Sequence, residues 1–322
     1  MKKKILILGT GGTIASKESE QGLVPAADVL ELIRCVPEID GMCELEQIQV
    51  FSLDSTNVQP KHWLQLAECI RQYYESYDGF LILHGTDTMA YTAAALSYLV
   101  QKSRKPIVLT GSQLPMEDPY TDAKENMIQS VQYLIREDAQ DVSIVFAGQV
   151  IPGGRARKVR SHTMEAFACV GYEFDPSERK GENAGNPIFY DSLNTNVLIW
   201  KLIPGLQADV LLKVAESFDG IIIEGFGLGG LPDQEENDYF PVLKALTEQG
   251  KTIAVTTQVP TEGSDMTVYE VGMHYKSELP ILEGKTMTPE AMAVKLMWIL
   301  GFAKDRYEIA HYFEMPINYD LV

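Results

Sequence analysis

The sequence predicts an α/β protein with a larger N-terminal parallel-sheet domain and a smaller C-terminal α/β domain, and two observations support this. Short apolar runs alternate with helical patterns of about 10–15 residues in the first half of the chain, which is typical of a parallel sheet covered on both faces. A polar stretch then interrupts this alternation before a second series of strands and helices begins. The predicted domains are residues 1–178 and 197–322, joined by a linker at residues 179–196.

Composition limits the classes of partner. The chain has 322 residues, of which 45% are hydrophobic and 22% charged, so a sizeable core is expected. Its formal net charge of −18 argues against nucleic acid or an anionic membrane as a partner, because phosphate binding uses clustered Lys and Arg. The apolar run at residues 4–8 is too short for a signal peptide, and we expect a cytoplasmic protein. The cysteines and histidines lack metal-ligand spacing, so no metal is expected.

The first strand, residues 4–8, is followed by a glycine-rich turn at residues 9–12 and then by Thr13. Glycine lets the backbone turn sharply and lets a ligand approach it closely. A dinucleotide-binding fingerprint would need glycine or alanine where Ile14 stands, and a P-loop would need a Gly-Lys-Ser/Thr sequence. The turn is therefore either purely structural or a means of presenting the Thr13 hydroxyl as a nucleophile.

The remaining elements follow from apolar runs, helical spacing and Gly or Pro punctuation. The polar segment at residues 16–26 predicts a loop, which is either a lid over a ligand or an ordinary connection. The N-terminal pattern predicts a flavodoxin-like sheet with further strands at 48–53, 78–83, 107–110 and 142–147, and helices at 27–35, from 60, at 89–100 and near 122–135. The C-terminal pattern predicts strands at 197–201, 220–224 and 252–257, and helices at 208–217, 239–249, 289–300 and 305–313.

Small polar residues follow the predicted strand ends, and in an open parallel sheet these ends share one edge, where ligands bind. These residues are Thr13, Asp54, Ser55, Thr56, Thr86, Asp87, Ser112 and Lys158. A threonine hydroxyl needs a neighbour that takes its proton, and a partly buried lysine beside a hydroxyl and a carboxylate can tune proton transfer. Asp87 could anchor an ammonium group and Ser55 a carboxylate, which together describe an amino-acid substrate. His84 is expected to be structural.

Two motifs carry a specific family resemblance. Thr-Gly-Gly-Thr-Ile-Ala at 10–15 and His-Gly-Thr-Asp-Thr-Met at 84–89, in this order, resemble the bacterial-type L-asparaginase family, particularly its cytoplasmic type I branch. The segments at 54–56, 108–113, 155–158, 203–206 and 225–230 are similar to the family too, so the resemblance covers nearly the whole chain. It implies hydrolysis of L-asparagine to L-aspartate and ammonia through a threonine acyl-enzyme, without a cofactor, by a homodimer or homotetramer.

The resemblance also implies a role for each site residue. Thr13 attacks the side-chain amide carbon, and Thr86, Lys158 and Asp87 handle the proton and the attacking water. Thr86 and Asp87 also belong to the substrate-binding set, in which Asp87 holds the substrate ammonium. The carboxylate is held by Asp54, Ser55 and Thr56. Backbone N–H groups at these turns stabilise the oxyanion.

One position departs from the family pattern. Many members carry a lid tyrosine that contacts the nucleophile, whereas the matching residue here is Leu23, which cannot relay a proton. Some members that lack this tyrosine use one from the smaller domain of a neighbouring subunit, and Tyr269 matches that position. Tyr269 is therefore either the substitute or an ordinary packing or surface residue.

Two alternative functions are weaker. The amidase subunit of a tRNA-dependent amidotransferase resembles asparaginase with an extra N-terminal domain, but the first strand here begins at residue 4 and the charge is unsuited to tRNA. A non-catalytic flavodoxin-like protein that binds an amino acid would have no reason to combine Thr13, Thr86 and Lys158. We also expect asparagine to be hydrolysed much faster than glutamine.

Overall fold

The structure is a computed structural model that describes residues 2–19, 22–25, 28–178, 186–234 and 237–322. The chain forms two compact units, Met1–Asp191 and Ser192–Val322, and each has its own parallel sheet. The predicted α/β class with a larger N-terminal and a smaller C-terminal parallel-sheet domain is confirmed. The linker boundaries stay a prediction, because residues 179–185 lie outside the described ranges, and residues 188 and 189 already pair within the first unit.

The N-terminal unit alternates strands and helices along the chain. Its strands are β1 (Lys4–Gly11), β2 (Ser16–Ser19), β3 (Gly22–Pro25), β4 (Glu44–Leu53), β5 (Gly79–Leu83), β6 (Val100–Gln101), β7 (Ile107–Thr110), β8 (Val142–Phe146), β9 (Gln149–Pro152), β10 (Ala156–Lys158), β11 (Phe167–Cys169) and β12 (Ile188–Phe189). Its helices are α1 (Val29–Arg34), α2 (Pro60–Tyr73), α3 (Met89–Leu99) and α4 (Ala123–Leu134).

The main sheet of this unit has the order β4-β1-β5-β7-β8-β9. The first five strands are parallel and β9 is antiparallel to β8. Counted in chain order, the parallel strands run 2-1-3-4-5, which is the flavodoxin-like arrangement. The order reverses between β1 and β5. The crevice beyond the carboxyl ends of these two strands is therefore where such a sheet binds its ligand.

Burial explains which strands are easy to recognise from sequence. The central strands β1, β5, β7 and β8 are buried along nearly their whole length, so they consist of continuous apolar runs. The edge strand β4 is largely exposed and begins at Glu44 rather than at the predicted residue 48. Its first residues are mostly polar, and for that reason an apolar run does not reveal them.

The segment predicted as a loop at residues 16–26 is instead a β-hairpin. Strands β2 and β3 pair in antiparallel fashion, with Ser16 opposite Pro25 and Ser19 opposite Gly22. Its sequence lacks the alternation of apolar and polar residues that predicts a half-buried strand, so only the backbone pairing identifies it. Residues 20, 21, 26 and 27 lie outside the described part of the chain.

The C-terminal unit contains a four-stranded parallel sheet with the order β13-β14-β17-β18. Its strands are β13 (Val197–Lys201), β14 (Gly220–Gly225), β15 (Asp233–Gln234), β16 (Asn237–Asp238), β17 (Thr252–Thr257) and β18 (Leu282–Glu283). Its helices are α5 (Ala208–Val214), α6 (Phe240–Glu248), α7 (Glu270–Glu278), α8 (Pro289–Leu300) and α9 (Arg306–Glu314). Helix α7 was not predicted, because it buries only Gly272 and Tyr275 and has little apolar pattern. Among the helices of the described ranges, none has the length and hydropathy that crossing a bilayer requires.

A buried ion pair fixes the end of the chain to α8. Lys295 Nζ lies 2.8 Å from Asp320 Oδ2, and both side chains are completely buried. The ammonium also donates to the carbonyl of Met315 at 2.7 Å, and Asp320 Oδ1 accepts from the amides of Ile317 and Leu321. Burial lowers the pKa of the Lys295 ammonium, and Asp320 opposes this effect. The charged form of Lys295 therefore depends on its partner.

We predict that Asp320→Asn lowers the free energy of unfolding of the C-terminal unit by about 3 kcal/mol, because a buried charge is left without its counter-ion. Urea denaturation measures this loss. The double variant Lys295→Met with Asp320→Leu removes both charges and should regain part of the stability, because the amides of Ile317 and Leu321 still lose their acceptor. Wild-type stability in Asp320→Asn would show that the pair does not fix the C-terminal segment.

Candidate active site

The turn after β1 packs backbone against backbone. Gly11 and Gly12 have φ angles of 99° and 81°, in the left-handed region that favours glycine. A Cβ atom on Gly12 would lie 2.3 Å from Cα and N of Gly85, and one on Gly11 would lie 2.5 Å from the carbonyl oxygen of Leu53. The amide of Gly12 also donates to that carbonyl at 2.9 Å. The turn is thus fitted between the end of β4 and the loop after β5.

This packing distinguishes the two threonines of the turn. Thr10 is 1% exposed, and its hydroxyl donates to the carbonyl of Leu83 at 2.9 Å, which ties the end of β1 to β5. Thr13 is half-buried and begins a short 3-10 helix. Its neighbour Gly12 contacts Gly85, which directly precedes Thr86. The two loops that carry Thr13 and Thr86 therefore meet at the crevice between β1 and β5.

Lys158 lies between a hydroxyl and a carboxylate. Its Nζ atom donates to Thr86 Oγ1 at 2.8 Å and to Asp87 Oδ1 at 2.6 Å. Thr86 is buried, whereas the Asp87 side chain is 55% exposed and that of Lys158 is 19% exposed. Lys158 is the last residue of β10, which pairs with β11, so the ammonium is presented from a short hairpin.

The loop after β4 is tied to the loop after β5. Asp54 caps a 3-10 helix by accepting hydrogen bonds at 2.8 Å from both the amide and the hydroxyl of Thr56. Ser55 is buried, and its Oγ accepts from the amide of Asp87 at 3.2 Å. Thr88 Oγ1 donates to the carbonyl of Ser55 at 2.7 Å. Hydrogen bonds thus connect Ser55 to the Thr86 and Asp87 loop.

The predicted site residues fall into two groups. The N-terminal unit brings together Thr13, Asp54, Ser55, Thr56, Thr86, Asp87 and Lys158 through the contacts above. Tyr269 belongs to the C-terminal unit, directly precedes α7 and is 65% exposed. Leu23 lies in β3, where its backbone pairs with that of Glu18. The hydroxyl of Ser112 donates to the carbonyl of Leu114, so it stabilises its own loop.

The sequence did not single out Gln113 as a candidate site residue. Its Oε1 accepts from the Thr86 hydroxyl at 3.3 Å. The amide of Gln113 donates to both carboxylate oxygens of Asp122 at 3.0 Å, and the Leu114 amide donates to Oδ1 at 3.2 Å. The carboxylate of Asp122 thus accepts hydrogen bonds from the amides of this loop. The amide of Ala123, at the start of α4, donates instead to Thr121 Oγ1. The sequence signal that could have identified Gln113 was its position next to Ser112, just after the end of β7.

His84 makes a buried hydrogen-bond chain behind the site. The carbonyl of Gly85 can only accept, so His84 Nδ1 carries a proton and donates to it at 2.7 Å. In the neutral ring Nε2 then accepts from the Thr92 hydroxyl at 3.0 Å, and Thr92 Oγ1 itself accepts from Trp63 Nε1. Burial lowers the pKa of His84 to about 4, which keeps the ring neutral near pH 7. This arrangement supports the expected structural role.

The described part of the chain offers no set of metal ligands. Within residues 2–19, 22–25, 28–178, 186–234 and 237–322, no cluster of three or more His, Cys, Asp or Glu side chains could hold a metal ion. The groups that these contacts bring to the crevice include several hydroxyls, the ammonium of Lys158 and the exposed carboxylates of Asp54 and Asp87. Such a set suits nucleophilic attack and proton transfer on a small zwitterion.

Comparison with known families identifies the class of protein that this fold and site define. The model of the N-terminal asparaginase domain matches residues 4–175, and that of the glutaminase/asparaginase C-terminal domain matches residues 196–313. The chain belongs to the asparaginase family, and the resemblance seen in its motifs is confirmed.

Individual relatives agree with this assignment. The chain is 37% identical over 329 residues to an L-asparaginase from Thermococcus kodakarensis, with 98% of each chain covered. It is 33% identical over 327 residues to a glutamyl-tRNA(Gln) amidotransferase subunit from Pyrococcus furiosus, covering 94% of this chain and 73% of that protein.

Solved structures agree as well. The thermostable L-asparaginase from T. kodakarensis gives a TM-score of 0.91 at 34% identity, with 99% of each chain covered. A probable cytoplasmic L-asparaginase from Campylobacter jejuni gives a TM-score of 0.79 at 27% identity, covering 97% of this chain and 99% of that chain.

The glycine contact yields a prediction with a matched control. Gly12→Ala should destabilise the N-terminal unit by several kcal/mol, because it adds a clash with Gly85 to the cost of a left-handed conformation. Gly205 has a similar φ of 92° but nothing within 4 Å of its Cβ position, so Gly205→Ala should cost only roughly 1–2 kcal/mol. Urea denaturation of both variants measures the difference. Equal losses would contradict the close approach of the two loops.

Proposed function

We propose that this protein is an L-asparagine amidohydrolase that converts L-asparagine to L-aspartate and ammonia through a threonine acyl-enzyme. The observation that carries the proposal is the bond of Lys158 Nζ to both Thr86 and Asp87, beside the glycine contact that places Thr13 at the same crevice. Family membership and the named activity of the T. kodakarensis relative support it.

Thr13 is the proposed nucleophile, because Thr10 already uses its hydroxyl to tie β1 to β5. Thr13 Oγ1 forms a bond to the side-chain amide carbon of asparagine, and its proton passes to a neighbouring base. The tetrahedral intermediate then expels ammonia, whose nitrogen takes up a proton as the C–N bond breaks. Water then attacks the ester carbon and gives a proton to the same base. The bond from that carbon to Thr13 Oγ1 breaks, Oγ1 takes up this proton, and aspartate is released.

Thr86, Lys158 and Asp87 are the proposed proton-handling set. Thr86 Oγ1 accepts a hydrogen bond from Lys158 Nζ, so the hydroxyl proposed to receive the proton of Thr13 or of water lies in direct contact with the lysine. Asp87 uses Oδ1 for Lys158. Its other oxygen, on a half-exposed side chain, is assigned to the substrate ammonium.

Ser55 is the proposed anchor of the substrate carboxylate, with Asp54 and Thr56 in the same loop. Because Ser55 Oγ accepts from the Asp87 amide, its own proton remains for an incoming carboxylate. Asp54 contributes by bonding the amide and hydroxyl of Thr56, which shapes the loop. The hydrogen bond between Ser55 Oγ and the Asp87 amide holds the two proposed anchors next to each other, as an α-amino acid substrate would require.

The amidotransferase subunit remains the second candidate, because the relative from P. furiosus is 33% identical. The match covers 73% of that protein but 98% of the T. kodakarensis asparaginase. The net charge of −18 also disfavours tRNA and anionic membranes as partners. A non-catalytic amino-acid-binding protein would leave the Lys158, Thr86 and Asp87 cluster without a purpose.

We further propose a cytoplasmic homodimer or homotetramer that needs no cofactor. The resemblance to type I asparaginases supports this location, as does the similarity to a protein described as a probable cytoplasmic L-asparaginase. Tyr269 is exposed in the single chain, so its hydroxyl is accessible to a second copy. In this assembly Tyr269 would replace the lid tyrosine whose position is occupied by Leu23.

We predict that the purified protein releases ammonia from L-asparagine and that Thr13→Ala lowers kcat by at least about a thousandfold, because the nucleophile is lost. A coupled ammonia assay measures both. Thr10→Ala removes the other hydroxyl of the turn and should keep turnover within about threefold. Full activity in Thr13→Ala would refute the proposed nucleophile, and equal kcat/KM for asparagine and glutamine would refute the expected preference for asparagine.

Tyr269→Phe tests the proposed substitute for the lid tyrosine. Loss of its hydroxyl should lower kcat about tenfold or more without changing the unfolding midpoint, because an exposed hydroxyl contributes little to stability. Tyr307 is also exposed in the C-terminal unit, and Tyr307→Phe serves as the control. Unchanged turnover in Tyr269→Phe would mean that the residue is only a surface tyrosine.

A further inference from the structure

Gln113 contacts Thr86, a member of the proposed proton-handling set. We propose that Gln113 is a positioning residue that fixes the direction of the Thr86 hydroxyl proton. The inference rests on the proposed function, since it concerns the same site. It is carried by three hydrogen-bond contacts within the N-terminal unit, which join Gln113 to Thr86, to Thr163 and to Asp122.

The first step is the orientation of the Gln113 amide. Its Nε2 donates to the main-chain carbonyl of Thr163 at 3.1 Å. A carbonyl oxygen can only accept, so the atom facing Thr163 has to be the NH2 group. The amide oxygen therefore faces Thr86, 3.3 Å from its Oγ1 atom. A flipped amide would place two acceptors together at Thr163.

The second step is the proton of Thr86. A hydroxyl has one proton and two lone pairs. Lys158 Nζ, in its ammonium form, can only donate, so at 2.8 Å it occupies one lone pair. Gln113 Oε1 can only accept, so it takes the hydroxyl proton. The second lone pair of Thr86 is then left to accept a hydrogen from the nucleophile or from water. The separation of 3.3 Å between Thr86 Oγ1 and Gln113 Oε1 is longer than in a typical O–H···O hydrogen bond. The contact is therefore a weak hydrogen bond that orients the hydroxyl.

The third step is how Gln113 itself is fixed. Its backbone amide donates to both oxygens of Asp122, and the same carboxylate accepts from the side chain of Asn126 on α4. Asn126 also donates to the carbonyl of Gly111 at 3.0 Å. Thr163 lies in the segment between β10 and β11, the hairpin that presents Lys158. Gln113 is therefore bound to the hairpin that carries Lys158, and it fixes the direction of the Thr86 hydroxyl proton relative to that hairpin.

Two variants separate orientation of Thr86 from anchoring of the loop. Gln113→Met keeps the length of the side chain but offers Thr86 no oxygen. Gln113→Glu keeps an acceptor for Thr86 and loses the donor to Thr163. If Gln113 orients the hydroxyl, Gln113→Met lowers kcat for asparagine about tenfold with KM within about twofold, whereas Gln113→Glu retains most of kcat. Gln129 is a glutamine on α4 that bonds Glu125 and Gly148, and Gln129→Met is the matched control with wild-type kcat.

The other outcomes overturn the inference in distinguishable ways. Wild-type kcat in Gln113→Met would show that the contact with Thr86 does not contribute to turnover. Equal losses in Gln113→Met and Gln113→Glu, with lowered unfolding midpoints, would show that the side chain acts only by anchoring the loop to Thr163. A wild-type protein that releases no ammonia from asparagine would refute the proposed function and this inference together. An active wild type with either of the first two results refutes this inference alone.

Discussion

The site depends on one steric constraint, the contact between the backbones of Gly12 and Gly85. A Cβ atom on Gly12 would lie 2.3 Å from Gly85, a separation at which the backbone would have to move. A Cβ atom on Gly85 would likewise lie 2.7 Å from the Ser55 side chain. Each glycine is next to a threonine of the site, so the absence of two side chains brings Thr13 and Thr86 to one crevice. The parallel sheet supplies the edge, and the glycines supply the close approach.

Hydrogen bonds behind this contact hold the loops of the crevice in shape. His84 connects Thr92 to the carbonyl of Gly85, and burial lowers its pKa to about 4, so the link is neutral. Asp122 and Asn126 organise the neighbouring loop from the start of α4. The charges of Lys158 and Asp87 lie at the crevice, where they are available to a zwitterionic ligand.

The sequence predicted most of this arrangement, because buried parallel strands are continuous apolar runs and their polar ends had to share one edge. It predicted Thr13, Thr86, Asp87 and Lys158 in one N-terminal site, and the structure brings them together. It did not predict the hairpin β2–β3, because the two paired segments lack the alternation of apolar and polar residues that identifies a strand. It also did not single out Gln113, because a neutral amide beside a strand end is indistinguishable from a loop residue until its two partners are known.

Rigid spacing also gives a physical basis for selection between amide side chains of different length. The bond between Ser55 and the Asp87 amide fixes the two anchors relative to each other, and the glycine contact fixes Thr13 relative to the same loop. If the substrate is held at its ammonium and carboxylate as proposed, its amide carbon reaches Thr13 at one distance along the side chain. One extra methylene would then move that carbon away from the nucleophile. Discrimination of about 1–3 kcal/mol per methylene, which a pocket alone supplies, is then increased by the misplacement of the reacting atom.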